Sequence, residues 1–191
     1  MLRRVRDRDY SSADQIGHVN SAGLLVYQLA RGRISLPRAA LAFALCGDSG
    51  QAKAVLDEVA RGFPEDTLIN ELWLPMIRAA LELQLGNAEQ TLDQLNSTSR
   101  YEAAAEFWPG YLRGQAYLKL KKTAEAAAEF QNVLDHRGYA LLSPLYPLAQ
   151  LGLARATQSR KAYDSFLALW KDADAEMPLL LAVRKEAAGS K

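Results

Sequence analysis

Residues 36–64 read LPRAALAFALCGDSGQAKAVLDEVARGFP and determine what fold to expect. Their apolar residues recur at spacings of three and four, the period of a helix with one buried face. Gly47 interrupts the pattern near its middle, and glycine permits the left-handed backbone that ends a helix. Pro64 closes the stretch, because proline cannot continue a helix. The stretch therefore predicts a pair of helices joined by a tight turn.

The composition of the whole chain agrees with a helical protein. Ala occurs 32 times and Leu 31 times among the 191 residues, whereas Val and Ile together occur 11 times. Helices favour Ala and Leu, whereas strands favour β-branched residues. The net charge of +1 argues against a nucleic-acid binder, because such proteins neutralise phosphates with excess Lys and Arg. We therefore expect an all-α chain that binds no nucleic acid.

The pattern of the first stretch returns further along the chain. Its first copy contains Leu36, Ala39, Ala40, Phe43, Gly47, Ala52, Leu56, Val59 and Pro64. A second copy contains Gly114, Tyr117, Ala126, Phe130 and Val133, with Lys121 in place of the turn glycine. A third, weaker copy contains Ala79, Gly86 and Leu95. A fourth starts with Leu148, Leu151 and Gly152 and ends with Tyr163, Phe166 and Leu167. Small residues at these positions let two helices approach closely, and the aromatic residues fill the gap between neighbouring pairs.

These offsets resemble the tetratricopeptide repeat (TPR), a helical hairpin of about 34 residues. The resemblance implies an all-α, TPR-like α-α superhelix, a solenoid of antiparallel helix pairs. We expect a basic tail at residues 1–10, a repeat domain at 11–178, and a C-terminal capping helix and tail at 179–191. Within the repeat domain we expect a leading helix at 11–30 and helix pairs at about 33–66, 72–100, 107–138 and 147–174.

Several longer strings resemble one bacterial group. They are RGFPEDTLINELWLPMIRAALELQLGN (61–87), GYLRGQAYLKL (110–120), AAAEFQNVLDHRG (126–138), LGLARA (151–156) and FLALWKDAD (166–174). They are similar to the C-terminal TPR region of acidobacterial-type, eukaryotic-like serine/threonine protein kinases. A similar region follows the winged-helix domain of some bacterial transcription regulators. The chain has no Gly-rich loop, His-Arg-Asp or Asp-Phe-Gly motif, so the resemblance implies a module without kinase catalysis.

The repeat register fails most clearly at residues 157–161, TQSRK. Related sequences place a Gly-Asp turn here, and this chain is about seven residues shorter, or about two helical turns. Two outcomes follow from the shortening. Either the two helices fuse into one long helix from about Pro147 to Lys171, or Ser159 caps a shortened second helix after a very tight connection.

The His, Cys and Ser residues match no known catalytic motif. His18 and His136 are far apart in sequence and match no metal-ligand motif, and His136 is expected to end a helix. Cys46 is expected to be buried filler at the end of an apolar helix. No serine lies in a nucleophile motif. We therefore expect no enzyme activity, no metal and no cofactor.

The expected ligand site is the concave groove lined by the first helix of each pair, where TPR proteins usually bind. Counting by register predicts these groove residues: Trp73, Met76, Leu83, Trp108, Tyr111, Gln115, Lys119 and Arg155. Trp and Tyr are typical anchors of interfaces, because they bury a large area with few rotatable bonds. The Lys and Asn residues of the carboxylate clamp, which binds acidic C-terminal peptides, are missing from their places.

The sequence thus predicts a protein- or peptide-binding TPR scaffold or sensory module of a bacterial signalling protein. The partner docks in the groove as a helix or as an extended peptide. The alternative is a structural module that forms homo-oligomers through exposed apolar helix faces. The longest run without a charged residue, 138–154, is short and contains prolines, so no membrane segment is expected. The expected location is cytoplasmic, although a parent protein of this type is anchored in a membrane in some relatives.

Overall fold

The computed structural model describes residues 32–139 and 143–190 of the chain. Nine α-helices lie in these two ranges, and no strand does. Their bounds are α1 Ser35–Leu45, α2 Ser49–Gly62, α3 Leu74–Leu85, α4 Ala88–Gln94, α5 Trp108–Lys119, α6 Thr123–Asp135, α7 Leu145–Thr157, α8 Arg160–Leu169 and α9 Pro178–Ala188. A π-helical turn, Ile69–Trp73, precedes α3, and two 3-10 segments are Thr98–Ala105 and Arg137–Tyr139. The all-α prediction is confirmed for the described residues; the predicted tail at 1–10 and leading helix at 11–30 lie outside them.

The helices pack in the order in which the chain forms them. Each of α1 to α8 contacts the next helix along the chain, and α9 packs on α8. The helices α1, α3, α5 and α7 also contact one another in sequence, each with the next of the four. The chain is therefore an array of helix pairs in which the first helices form a continuous row.

Three of the turns within helix pairs share one geometry. Gly47, Gly86 and Lys121 follow α1, α3 and α5 with left-handed φ angles of 81°, 89° and 59°. In each turn the next residue donates its N–H to a carbonyl five residues earlier, at an N–O distance of 2.9 Å. This bond satisfies a free carbonyl at the helix end. The turn predicted at Lys121, where the repeat pattern would place glycine, is therefore present. Lys121 adopts the same left-handed backbone as Gly47 and Gly86.

The positions predicted to hold small residues lie where helices meet. Ala40, Ala52, Ala79 and Ala126 have no exposed surface. Phe130 of α6 is also fully buried, in a cluster formed by α5, α6 and α7. The remaining core consists of one cluster from α1 through α5 and another joining α7, α8 and α9. The small residues thus set the helix spacing.

The last helix pair has a tight connection and no fused helix. α7 ends at Thr157, Gln158 has a left-handed φ of 52°, and Ser159 is extended before α8 begins at Arg160. The structure therefore shows the second of the two predicted outcomes, a shortened second helix. Ser159 occupies the N-cap position but makes no side-chain cap hydrogen bond. In a fused helix Gln158 would have a right-handed helical backbone, whereas here its left-handed backbone reverses the chain.

Candidate functional site

An open groove of about 830 Å³ lies among the described residues. One wall is a face of α1, and the other is the start of α5 with residues 138–139 and 143–144. We call it the α1–α5 groove and define it by these residues: Arg38, Leu41, Ala42, Leu45, Cys46, Trp73, Ala105, Glu106, Trp108, Gly138, Tyr139, Ser143 and Pro144. Most of this lining is apolar or aromatic.

The α1 wall follows from helical spacing. Arg38, Leu41, Ala42 and Leu45 are separated by three, one and three residues, so they share one face of the helix. Leu41 is buried in the core, whereas Ala42 is exposed to the groove. Cys46 at the end of this face is exposed as well, which corrects the prediction that it is buried filler. α1 ends at Leu45, so Cys46 lies directly after the helix and outside its buried face.

The opposite wall rests on an unusual stretch of backbone. Glu106 and Phe107 are consecutive non-glycine residues with left-handed φ angles of 52° and 64°. Such a conformation costs about 1–2 kcal/mol per residue and needs support from its surroundings. Phe107 obtains that support by stacking on His136, with ring centroids 4.2 Å apart. The two left-handed residues turn the chain so that Trp108 begins α5 at the rim of the groove.

Tyr139 is the most exposed aromatic ring of the groove, with 63% of its surface accessible. It contacts Phe107 edge to face, with the ring centroids 5.4 Å apart. His136 occupies the position directly after α6 and its Nδ1 lies 2.8 Å from Asn132 O. The structure thus confirms that His136 ends a helix. It also shows that His136 and Phe107 together support the tyrosine that faces the groove.

Trp73 is the last residue of the π-helical turn that precedes α3, and it lines the groove. A π turn contains one residue more than an α turn and is frequent at functional sites. Trp73 is 7% exposed, so only an edge of its ring reaches the groove. The Arg38 guanidinium carbon lies 5.9 Å from the Trp73 ring centroid, which is within cation–π range. Trp73 is therefore part of the groove wall and also part of the core.

The charges in the groove lining neutralise each other. Arg38 Nη2 donates to Glu106 Oε1 across the groove at 2.8 Å. These are the charged residues among the lining side chains that the structure describes. An exposed pair of this kind contributes about 0–1 kcal/mol to stability, so its main effect is on the charge of the surface. The groove therefore presents apolar and aromatic side chains without an unpaired charge.

The predicted groove residues fall into three places. Trp73 and Trp108 line the α1–α5 groove. Met76 is fully buried and Leu83 is 7% exposed, so the structure does not place these two at a surface. They belong to the core, because α1 and α5 pack against α3 from both sides. Lys119 is exposed at the end of α5, outside the groove.

The other three predicted residues come together on a separate surface. Tyr111 hydrogen-bonds Gln115 and lies near Arg155, and burial raises the pKa of its hydroxyl. Arg155 donates from Nε and Nη2 to the two carboxylate oxygens of Glu186, both at 2.9 Å. Arg155, predicted to lie at the groove edge, is therefore occupied by an internal ion pair.

The repeat spacing could have predicted further residues of the groove, namely those on α1. Ala80 and Gln84, which the same register also predicts to line the groove, precede Gly86 by six and two residues. Leu41 and Leu45 precede Gly47 by the same intervals, so their positions on α1 follow from the repeat. The prediction began its count one helix pair too late. Tyr139 carried no such signal, because it lies in a 3-10 turn outside the repeat pattern.

No group of three or more potential metal ligands is present among the described residues. No helix in the described ranges is both long and apolar enough to cross a bilayer. Comparisons with protein-family models, with curated proteins and with solved structures found no match to this chain. The fold and the groove are therefore the basis for assigning a class. The class they define is an all-α protein of stacked helix pairs with an apolar groove.

Proposed function

We propose that this chain is a TPR-like repeat module that binds a protein or peptide segment in the α1–α5 groove. The repeat assignment is supported by the row of contacts α1, α3, α5 and α7, and by the three matching turns. The bacterial signalling context rests on the resemblance of the quoted strings to kinase-associated regions. A kinase or winged-helix domain encoded directly upstream would support that context.

The observation that carries the proposal is the apolar and aromatic lining of the groove, in which the two charged side chains pair with each other. Trp108 and Tyr139 present ring surface to the opening, and Leu45 and Ala42 face them from α1. Aromatic side chains in a partly enclosed apolar setting are the usual anchors of protein interfaces. A catalytic site would need charged or nucleophilic groups poised against a base, and Arg38 and Glu106 instead pair with each other. Binding is therefore the proposed role.

The test uses a surface substitution that changes the groove and leaves the core intact. Ala42 is an exposed helix residue in the lining, and Lys there adds bulk and a charge at little helical cost. Ala54 is an exposed helix residue on α2 outside the groove, so Ala54→Lys is the matched control. Random peptides of about 16 residues, displayed on phage, are selected against the whole chain.

We expect the selected peptides to bind the wild-type chain and Ala54→Lys equally and to lose at least about tenfold in affinity for Ala42→Lys, or about 1.4 kcal/mol. Tyr139→Ala should weaken the same peptides, because it removes an anchor that is largely outside the core. Peptides that bind both Lys variants alike, or a selection without enrichment, would contradict the proposed groove.

A further inference from the structure

We infer that Arg113 is a positioning residue of the α1–α5 groove, because it holds the 3-10 segment Thr98–Ala105 that leads into one groove wall. This inference rests on the proposed function, since it names a residue that shapes the same site without lining it. Arg113 acts on the wall through Glu102. Its hydrogen bonds, its shielding from water and the path of the backbone after Glu102 carry the inference.

The Arg113 guanidinium joins three elements of the fold. Arg113 belongs to α5, and its Nε and Nη2 atoms donate to the two carboxylate oxygens of Glu129 in α6, at 2.8 and 2.9 Å. Its Nη2 atom also donates to Glu102 Oε1 in the 3-10 segment. The planar guanidinium suits this arrangement, because its donors point in fixed directions toward both carboxylates. The 3-10 segment is therefore tied to the α5–α6 pair.

This ion cluster is largely shielded from water. The side chains of Arg113, Glu102 and Glu129 are 16%, 11% and 20% exposed. Charges in such a position are screened less by salt than exposed charges are. A carboxylate that lost the guanidinium would have to move toward water to regain its hydration. Such a movement of Glu102 would loosen the segment that carries it.

The backbone transmits this constraint from Glu102 to the groove wall. The carbonyl oxygen of Glu102 accepts from the N–H of Phe107 at 2.9 Å. This bond closes the turn at the end of the 3-10 segment, where Glu106 and Phe107 have left-handed φ angles. Ala105, Glu106 and Trp108 line the groove on either side of this turn. A fixed Glu102 therefore fixes the backbone that presents these three residues.

The other anchors of the segment are either apolar or exposed to solvent. Ala105 is buried and Tyr101 is half-buried against the core, whereas residues 103–104 are exposed. Arg38 pairs with Glu106 on the groove side, where these side chains are 51% and 28% exposed. Water screens such a pair, so it contributes less than a shielded one. The Arg113 cluster is therefore the shielded polar anchor of this wall.

The experiment compares Glu102→Gln with Glu129→Gln in the full chain. Each variant removes one carboxylate from the same guanidinium, so a general loss of stability is common to both. Only Glu102→Gln weakens the link to the 3-10 segment. Amide hydrogen exchange of Glu106 and Phe107 reports on the turn without any ligand. We expect Glu102→Gln to speed this exchange at least about tenfold and Glu129→Gln to change it less than about twofold.

The peptides selected by phage display supply a second readout. We expect their affinity to fall at least about fivefold for Glu102→Gln and less than about twofold for Glu129→Gln, since only the first variant loosens the wall. The urea midpoints of both variants are measured alongside. They identify any exchange that occurs through global unfolding rather than through movement of the segment.

The outcomes separate this inference from the proposed function. Equal exchange at Glu106 and Phe107 in the two variants would overturn the positioning role of Arg113 and leave the groove as the binding site. Faster exchange in Glu102→Gln with unchanged peptide affinity would overturn that role too, because binding would then not depend on the wall being held. Insensitivity of the peptides to Ala42→Lys would instead overturn the proposed function, whereas the exchange result would still show whether Arg113 holds the segment.

Discussion

Phe130 determines how closely α5 and α7 approach α6. A Cβ atom added at Gly114 of α5 would lie 2.6 Å from the Phe130 ring, and one added at Gly152 of α7 would lie 2.5 Å from it. Both distances are shorter than the van der Waals contact of two carbon atoms. The ring is fully buried and has no direction in which to move without displacing the core. The two glycines are therefore required by the ring between them.

We predict that Gly114→Ala and Gly152→Ala each lower the free energy of unfolding by about 1–3 kcal/mol. The cause is overpacking, because the new methyl group overlaps the Phe130 ring. Urea unfolding followed by circular dichroism measures the effect. Gly50→Ala is the matched control, since its Cβ would lie 3.7 Å from the nearest atom. That variant should be as stable as the wild type or up to about 1 kcal/mol more stable.

A second experiment tests whether the Phe130 ring causes this loss of stability. In a Phe130→Leu background the side chain is smaller and more adaptable, so the penalty of Gly152→Ala should shrink. An equal penalty in both backgrounds would show that the ring is not the source of the cost.

α9 is joined to the repeat array by a polar contact as well as by its apolar face. Leu180 and Val183 are buried against α7 and α8. Glu186 accepts two hydrogen bonds from Arg155 and one from the Tyr163 hydroxyl at 3.3 Å. The Arg155 hydrogen bonds hold the pKa of Glu186 below its ordinary value of 4.5. The contact therefore stabilises the last helix only while Glu186 is ionised.

We predict that part of the stability of the α7–α9 unit is lost on acidification. Because the folded-state pKa of Glu186 is depressed, its contribution is present above about pH 4.5 and disappears as pH falls through the lowered pKa. Glu186→Gln should thus lower the urea midpoint at neutral pH, and its difference from wild type should shrink as pH falls below about 4.5. The side chains of Arg155 and Glu186 are each 34% exposed, so screening by solvent reduces the change in the urea midpoint.

A matched control for this experiment is Glu176→Gln. Glu176 is exposed in the loop before α9, so its substitution should change the midpoint little at neutral or at acidic pH. A Glu186→Gln variant that follows the pH profile of the wild type would show that the Arg155 contact does not support α9.

The outer surface of the molecule bears on the alternative of self-association. The largest exposed apolar side chains are Ile34 before α1, Leu85 at the end of α3, and Leu169 and Leu181 near the C-terminal end. They belong to different helices, and single exposed apolar residues are common on monomeric proteins. Stable dimers usually bury a contiguous apolar patch of about 800 Å² per partner. The surface therefore favours the groove over a homo-oligomeric contact.

We predict that the chain sediments as a monomer at all concentrations between about 1 and 100 μM, since the exposed leucines of the described residues, Leu85, Leu169 and Leu181, each belong to a different helix. Sedimentation velocity measures this directly. A concentration-dependent dimer would favour self-association, above all if Leu169→Glu dispersed it and Leu85→Glu did not.

Much of the architecture could be predicted from local sequence. The helix pairs, the turns at Gly47 and Gly86, and the packing role of Ala40 and Ala126 all depend on spacings within one or two helices. The turn at Lys121 followed from the repeat register alone. Such features are encoded locally, because helix periodicity and turn geometry involve residues close in the chain.

The position and lining of the α1–α5 groove were decided only by the tertiary structure. Arg38 and Glu106 are far apart in sequence, and their pairing removes the charge that either residue alone would suggest. Met76 and Leu83 were predicted to line the groove, yet packing of α1 and α5 against α3 buries them. Tyr139 reaches the groove from a turn without repeat periodicity. The sequence by itself determined which residues form helices and where the chain turns. Which helix faces stay open depends on how distant helices pack, and that was decided by the three-dimensional fold.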